Sequence, residues 1–304
     1  MTRAQGPITV LMATQNGADF LAEQLTSLAD QTLLPARLIV SDDGSVDNTA
    51  AIVQHFAERA PFATRLVDGP RKGLAGNVFA LLQSAPKGPL AFADQDDVWL
   101  PRKLERAHAF LKGSGDIPTL YAAGRIFTDA QLRPKGRSAD LRRAPGFENA
   151  LVQNIAAGNT IVLNAAAAQL ARAASVDGTA MPAFHDWWLY QLISGVGGAV
   201  IYDPTHVILY RGHRTNVLGP NAGVLARFRR LAKLADGTYG RWIGSQAGAL
   251  SASSHRLAPQ SRALLKQFLG ETNARSLRLA RMGLYRQGKL ETLLLNGAAR
   301  LGRV

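Results

Sequence analysis

The chain has 304 residues, 47% of them hydrophobic and 19% charged, enough to bury a sizeable core as one large domain or a domain with an appendage. It contains no cysteine, which excludes disulfides and thiolate metal sites, and no apolar run near the roughly 20 residues that cross a bilayer. The formal charge of +13 is uneven: residues 216–304 hold 15 Lys/Arg against 3 Asp/Glu, whereas residues 1–215 hold 20 against 19.

A basic tail of this kind points to an anionic partner, whether a lipid surface, a nucleic acid or an acidic polymer. Residues 1–7 are polar and the apolar run 8–13 is too short for a signal core, so a cytoplasmic protein is expected. That run reads as a buried strand ending at Thr14-Gln15-Asn16-Gly17, where Asn-Gly signals a turn. Phe20, Leu21, Leu25 and Leu28 then recur at helical spacing over 19–30. Leu38-Ile39-Val40 forms a second strand ending at Ser41-Asp42-Asp43-Gly44-Ser45, followed by a helix from Asp47-Asn48-Thr49 to about residue 60. Residues 64–67 make a third strand, 74–84 a helix, and 89–93 a fourth strand.

That fourth strand runs into Asp94-Gln95-Asp96-Asp97, three carboxylates within four residues. Like charges so close repel, and a divalent cation would relieve them. Mg²⁺ or Mn²⁺ prefers carboxylate oxygens and keeps coordination positions for substrate phosphates. The β-α-β-α-β-α-β order predicts a doubly wound, mostly parallel α/β sheet with helices on both faces and a ligand beyond the carboxyl ends of its strands. Neither G-x-G-x-x-G nor a Walker A loop is present.

Further along, a helix follows Pro101, and 119–128 is strand-like. Residues 130–145 read as a basic surface loop, 158–164 as a strand before an alanine-rich helix, and 187–193 as an apolar helix. Two late strands fall at 199–202 and from 207. From Val224 the tail looks helical. Arg275, Arg278 and Arg281 share one helix face opposite Leu277, Ala280 and Leu284, a pattern that suits either an anionic membrane surface or a solvated helix packed on the domain.

Four motifs in this order resemble glycosyltransferase family 2, above all its rhamnosyltransferase-like bacterial members: Thr14-Gln15-Asn16-Gly17, Ser41 to Asp47, Asp94 to Trp99 leading into Pro101-x-Lys103-Leu104, and His185-Asp186-Trp187-Trp188. The resemblance covers roughly 8–220. It implies a glycosyltransferase-A fold in residues 1–220, with a nucleotide-binding half to about 115 and an acceptor half after it. A basic helical extension occupies 221–304. It further implies inverting transfer from a nucleotide-sugar, dTDP-rhamnose or a UDP- or GDP-sugar, to a glycan or lipid-linked glycan at the inner membrane face. No nucleic-acid partner is expected.

The resemblance assigns roles residue by residue. Asp42 and Asp43 would hold base and ribose, with Thr14, Gln15 and Asn16 lining the base and Arg71 or Lys72 reaching the nucleotide. Asp96, Asp94 and His213 would hold Mg²⁺ or Mn²⁺. Asp94 would lie near the ribose or that metal, Gln95 would border the donor, Asp97 would either back the metal ligands or orient the donor sugar, and Arg211 and Arg214 would meet the donor's diphosphate, since guanidinium matches phosphate geometry. Asp186 is the candidate base at a helix start, where the dipole favours its ionised form. Trp187 and Trp188 would give a sugar a platform, and Gly158 and Asn159 would border the acceptor.

Two other classes compete: a non-catalytic nucleotide- or polyanion-binding protein, and a nucleotidyltransferase. The acidic cluster together with Asp186 speaks against the first, and the lack of a basic glycine-rich loop after the first strand against the second. Arg241-Trp242 is preceded by Thr238 where processive synthases carry glutamine, which argues against processive synthesis.

Overall fold

A computed structural model describes residues 4–213, 236–270 and 281–300. Its elements in chain order are β1 (Ala4–Gln5), β2 (Thr9–Thr14), α1 (Ala18–Ala29), β3 (Leu33–Leu34), β4 (Arg37–Asp42), α2 (Thr49–Ala57), β5 (Ala63–Asp68), α3 (Gly73–Ser84), β6 (Leu90–Ala93), β7 (Val98–Trp99) and α4 (Lys103–Leu111). There follow β8 (Thr119–Thr128), β9 (Pro134–Arg137), α5 (Phe147–Ala150), a 3₁₀ turn (Gly158–Thr160), β10 (Val162–Leu163), α6 (Ala165–Ala174), α7 (His185–Gly195) and β11 (Ala199–Arg211). Three helices close the described chain: α8 (Thr238–Ala252), α9 (Pro259–Leu269) and α10 (Lys289–Arg300).

The main sheet runs β5-β4-β2-β6-β10-β8-β11-β7, with β9 added beside β8. Pairings β5/β4, β4/β2, β2/β6 and β8/β11 are parallel. Short antiparallel pairings join β10 to β6 and β8, and β7 to β11. Register brings the carboxyl ends together: Thr14 opposes Asp42, Asp42 opposes Asp68, and Met12 opposes Ala93 just before Asp94. Every strand on this side therefore ends at one edge, where open α/β sheets bind ligands.

Alternation along the strands explains the two cores. Leu11, Leu90, Phe92, Leu120 and Ala122 point to one face, where α3, α6 and α7 pack. Val10, Met12, Ala91, Ala93 and Tyr121 point to the other, with α1, α2 and α4. A period of two along strands buried on both sides produces this split. The C-terminal helices join the first core through Ile243, Ala247, Leu250, Leu265, Phe268 and Leu295. Among the described residues no helix is long and apolar enough to cross a membrane.

Three local expectations are corrected. The basic loop at 130–145 contains strand β9, because Asp129 accepts the N–H groups of Gln131 and Arg133 and turns the chain back onto β8. The strand at 158–164 is instead a 3₁₀ turn and two residues of β10, with Asn164 capping α6 by accepting the Ala167 N–H. The two late strands are one, β11, with register shifts on either side of His206. Those irregularities absorb Pro204, which cannot donate to a ladder. Arg275 and Arg278 lie outside the described residues.

Trp187 and Trp188 are only 3% and 2% exposed, which corrects their reading as a sugar platform. The Trp187 indole N–H donates to the Ala150 carbonyl at 2.6 Å, and the Trp188 ring lies 4.8 Å from that of Phe79. Both rings are core, because α7 is buried on nearly every side. Trp188→Ala should destabilise the fold by about 3–5 kcal/mol, read as a lower urea midpoint at unchanged slope. A loss below about 1 kcal/mol would return the ring to the surface.

Candidate active site

Loops at the carboxyl ends of β2, β4, β5 and β6 interlock through hydrogen bonds. Thr14 Oγ1 donates to Asp42 Oδ1 at 3.0 Å, and Asp42 also accepts the Ser45 N–H and hydroxyl at 2.9 and 2.5 Å. Asp43 is buried and accepts the N–H groups of Arg71 and Gly73 at 2.6 and 2.8 Å. Asp42 thus shapes its own turn while Asp43 holds the loop leading into α3. Gln15 Nε2 donates to the Asp43 carbonyl at 3.3 Å. Asn16, in the left-handed region at φ 48°, accepts the Val46 N–H and donates its own N–H to Ser45 Oγ. Arg71 (φ 57°) and Lys72 are exposed on the rim.

Gln95 turns inward, accepting the Gln15 N–H at 2.9 Å and donating to the Gln15 carbonyl at 3.1 Å. Both ends of its amide are used by the backbone, so it clamps a loop and does not offer itself to the donor, contrary to expectation. The clamp explains Gly17: a Cβ there would run into the Gln95 amide.

The acidic cluster forms as predicted. Carboxylate oxygens of Asp94, Asp96 and Asp97 lie within 4.8 Å of one another. Asp96 Oδ2 is 2.6 Å from His213 Nε2, whose ring leans on Phe20 at 5.0 Å. Asp97 is fully buried and accepts from Asn159 Nδ2 at 2.5 Å and from the Arg211 N–H at 3.1 Å. Burial, then Asp94 and Asp96, hold its carboxyl well above the usual range. Asp97 and Asn159 therefore support the cluster from behind, and Asn159, at 2% exposure, cannot meet an acceptor.

Asp94 differs from both neighbours. Among the described residues no N–H or O–H donates to it. Burial, with Asp96 and Asp186 beside it, pushes its carboxyl up to about 7 against the pull of Arg125 and Lys103. Oxygens of Asp94 and Asp96 with the His213 imidazole make a hard, mixed O/N donor set suited to Mg²⁺ or Mn²⁺. A half-buried carboxylate lacking protein donors beside a second one is what such an ion would satisfy, so these residues fit the group.

Asp186 sits in the first turn of α7, accepting the Trp187 N–H at 2.7 Å and the Gly158 N–H at 3.1 Å. Gly158 lies so close that a Cβ would come within 2.9 Å of the His185 ring and 3.3 Å of Asp186. Its place is thus to let the turn approach α7.

Arg211 corrects a prediction. It is 2% exposed, with Nε donating to the Asp96 carbonyl at 2.8 Å, Nη1 to the Ala130 carbonyl at 2.5 Å, and Nη2 paired with Glu23. That guanidinium braces the cluster and is not turned to a diphosphate. Arg214 lies outside the described residues.

Two residues were given no role from sequence. Lys103 is fully buried with its ammonium 2.8 Å over the Trp99 ring and no hydrogen-bond partner among the described residues. Burial lowers its pKa strongly against the charges of Asp97 and Asp94. A lysine four residues beyond a tryptophan was the available signal. Gln246 of α8 accepts the Phe184 N–H at 2.9 Å and donates to the Phe184 carbonyl at 3.0 Å, fixing the residue before α7. Nothing in the sequence near Gln246 marks it.

Fold and site together describe an α/β enzyme with a carboxylate centre at the edge of its sheet. Residues 9–171, more than half the chain, match the sequence profile of Glycosyl transferase family 2; the protein belongs to that family and is a glycosyltransferase. The dTDP-rhamnosyl transferase RfbG of Shigella flexneri is 26% identical over 258 residues, 80% of this chain and 86% of its own. TarS (1–349) of S. aureus, crystallised with UDP-GlcNAc, superimposes with a TM-score of 0.56 at 12% identity over 97% of this chain and 90% of that one. Mannosyltransferase PcManGT of Pyrobaculum calidifontis, crystallised with GDP-Man and Mn²⁺, gives 0.52 at 18% over 100% and 90%. The fold is the glycosyltransferase-A fold.

Because Asp94 is raised, the folded state binds its proton more tightly than the unfolded chain. The stability it lends is full at low pH and falls as pH rises from 3.8 to about 7. In metal-free protein the melting temperature should fall across this window, and Asp94→Asn should flatten that slope. Mn²⁺ should raise the wild-type melting temperature more at the upper end, where the ligand is already deprotonated. A Mn²⁺ shift independent of pH, or unchanged by Asp94→Asn, would exclude Asp94 as a ligand.

Proposed function

We propose that the protein is a metal-dependent, inverting, non-processive glycosyltransferase of cell-surface polysaccharide synthesis. It would move a sugar from a nucleoside-diphosphate donor to a glycan or lipid-linked glycan. One observation carries the reading: a single 3₁₀ turn holds both the candidate base and the acidic cluster, the Gly158 N–H donating to Asp186 Oδ2 at 3.1 Å and Asn159 Nδ2 to Asp97 Oδ2 at 2.5 Å. On this reading the base and the leaving-group site are neighbours.

Asp96, Asp94 and His213 would hold Mg²⁺ or Mn²⁺, which supplies Lewis acidity to the departing diphosphate. Asp186 takes the proton of the acceptor hydroxyl as that oxygen bonds to the anomeric carbon and the nucleoside diphosphate leaves from the opposite face. One base and one displacement invert the anomeric centre. Hydrogen bonds from the Gly158 and Trp187 N–H groups aim the carboxylate. Asp42, Asp43 and the loop of Thr14, Gln15 and Asn16 form the wall for base and ribose, with Arg71 and Lys72 at its rim. The likeness to RfbG over most of both chains favours dTDP-rhamnose as donor, and the Mn²⁺ in the PcManGT crystal favours a divalent cation.

Asp186→Asn should keep the rise in melting temperature given by dTDP with Mn²⁺. Release of dTDP from dTDP-rhamnose should fall by about 10²–10⁴-fold, the usual share of a general base. Wild-type turnover in that variant would remove Asp186 from the chemistry.

A further inference from the structure

We infer that the outer face of α10, together with the adjoining loop that carries Arg142 and Arg143, docks on an anionic lipid bilayer. Helix α10 has two apolar faces. Leu295 and Ala299 are buried in the core. Leu290, Leu293 and Leu294, at positions i, i+3 and i+4, are 64%, 68% and 36% exposed, and Gly297 continues the row to i+7. Isolated exposed leucines are ordinary on protein surfaces, whereas three side by side on one helix face mark a contact.

The charges around this row name the contact. Lys289 is exposed at the start of α10, and Arg281 lies exposed just before it. Gln287 Oε1 accepts the N–H groups of Arg142 and Arg143, both at 2.9 Å, and Gln287 Nε2 donates to the Arg143 carbonyl at 3.1 Å. The Arg143 guanidinium also stacks 3.6 Å from the Tyr285 ring centroid. Two exposed arginines from a distant part of the chain are thereby fixed beside the amino-terminal end of the leucine row. Glu291 is offset by Arg286, with Nε to Oε2 at 3.4 Å. Leucines flanked by Lys and Arg are the composition of a helix lying in a bilayer interface, where apolar side chains enter and cations meet anionic headgroups. A second copy of the chain would bring the same cations against these and be repelled.

The test needs no sugar donor, so its outcome is independent of the transfer reading. Full-length protein is floated with vesicles of phosphatidylcholine alone or with phosphatidylglycerol, at low and high salt, and compared with Leu293→Glu and with Arg142→Gln/Arg143→Gln. Wild type should float with phosphatidylglycerol vesicles only, and less at high salt, since screening shortens the reach of the cations. Leu293→Glu should bind about tenfold more weakly or worse, and the double arginine variant should also weaken. The melting temperature of Leu293→Glu should match wild type, because that side chain is exposed, and that of the double arginine variant should fall only slightly, for the lost stack on Tyr285. Absence of wild-type flotation, or equal flotation of Leu293→Glu, overturns the proposal. So does a wild-type dimer in sedimentation that Leu293→Glu makes monomeric, which would assign the face to a second copy.

Discussion

Carboxylates crowded at the tip of a buried strand repel one another, and much of the surrounding structure exists to bear that repulsion. Two such charges about 4 Å apart near a protein surface oppose each other by about 4 kcal/mol. Here three lie within 4.8 Å. The protein deals with them unequally. Asp97 is withdrawn into the core and given Asn159 and the Arg211 N–H. Asp96 is set against His213. Asp94 is left without a protein donor among the described residues and rises to about 7. The unrelieved repulsion is thus concentrated on Asp94, where a cation would relieve it.

Buried cations behind the cluster complete this arrangement. Lys103 has no hydrogen-bond partner among the described residues and rests on Trp99. Burial lowers its pKa strongly, and the charges of Asp97 and Asp94 oppose that fall, so it keeps its proton only as far as those carboxylates are ionised. Arg211 spans Asp96, Ala130 and Glu23, so the end of β11 is tied to the loop after β6. Arg211 has the chemistry of a ligand-binding residue, yet both basic side chains are packed behind the anions.

What was legible in the sequence follows from this distinction between local pattern and distant partnership. The alternation of strands and helices to residue 128 was readable because periodicity is local. The acidic cluster and the first-turn position of Asp186 were readable for the same reason. Partnerships were not. Gln95 meets Gln15 across 80 residues, Asp97 meets Asn159 across 62 and Arg211 across 114. An amide, a tryptophan or an arginine in a functional motif has the chemistry to meet a ligand. Whether it does depends on which neighbours the fold brings to it. Trp187, Gln95, Asn159 and Arg211 each found a protein partner first.

Gln246 extends that logic beyond the family match, which ends at residue 171. Its amide holds both backbone groups of Phe184, and Phe184 immediately precedes the helix that carries Asp186. The clamp fixes where α7 begins, while the Gly158 N–H fixes which way Asp186 points. Since Gln246 is wholly buried and α8 packs into the same core as α7, the C-terminal helices help set the geometry of the candidate base. A surface that seats α10 on lipid would therefore belong to the same packed core as the helix that carries Asp186.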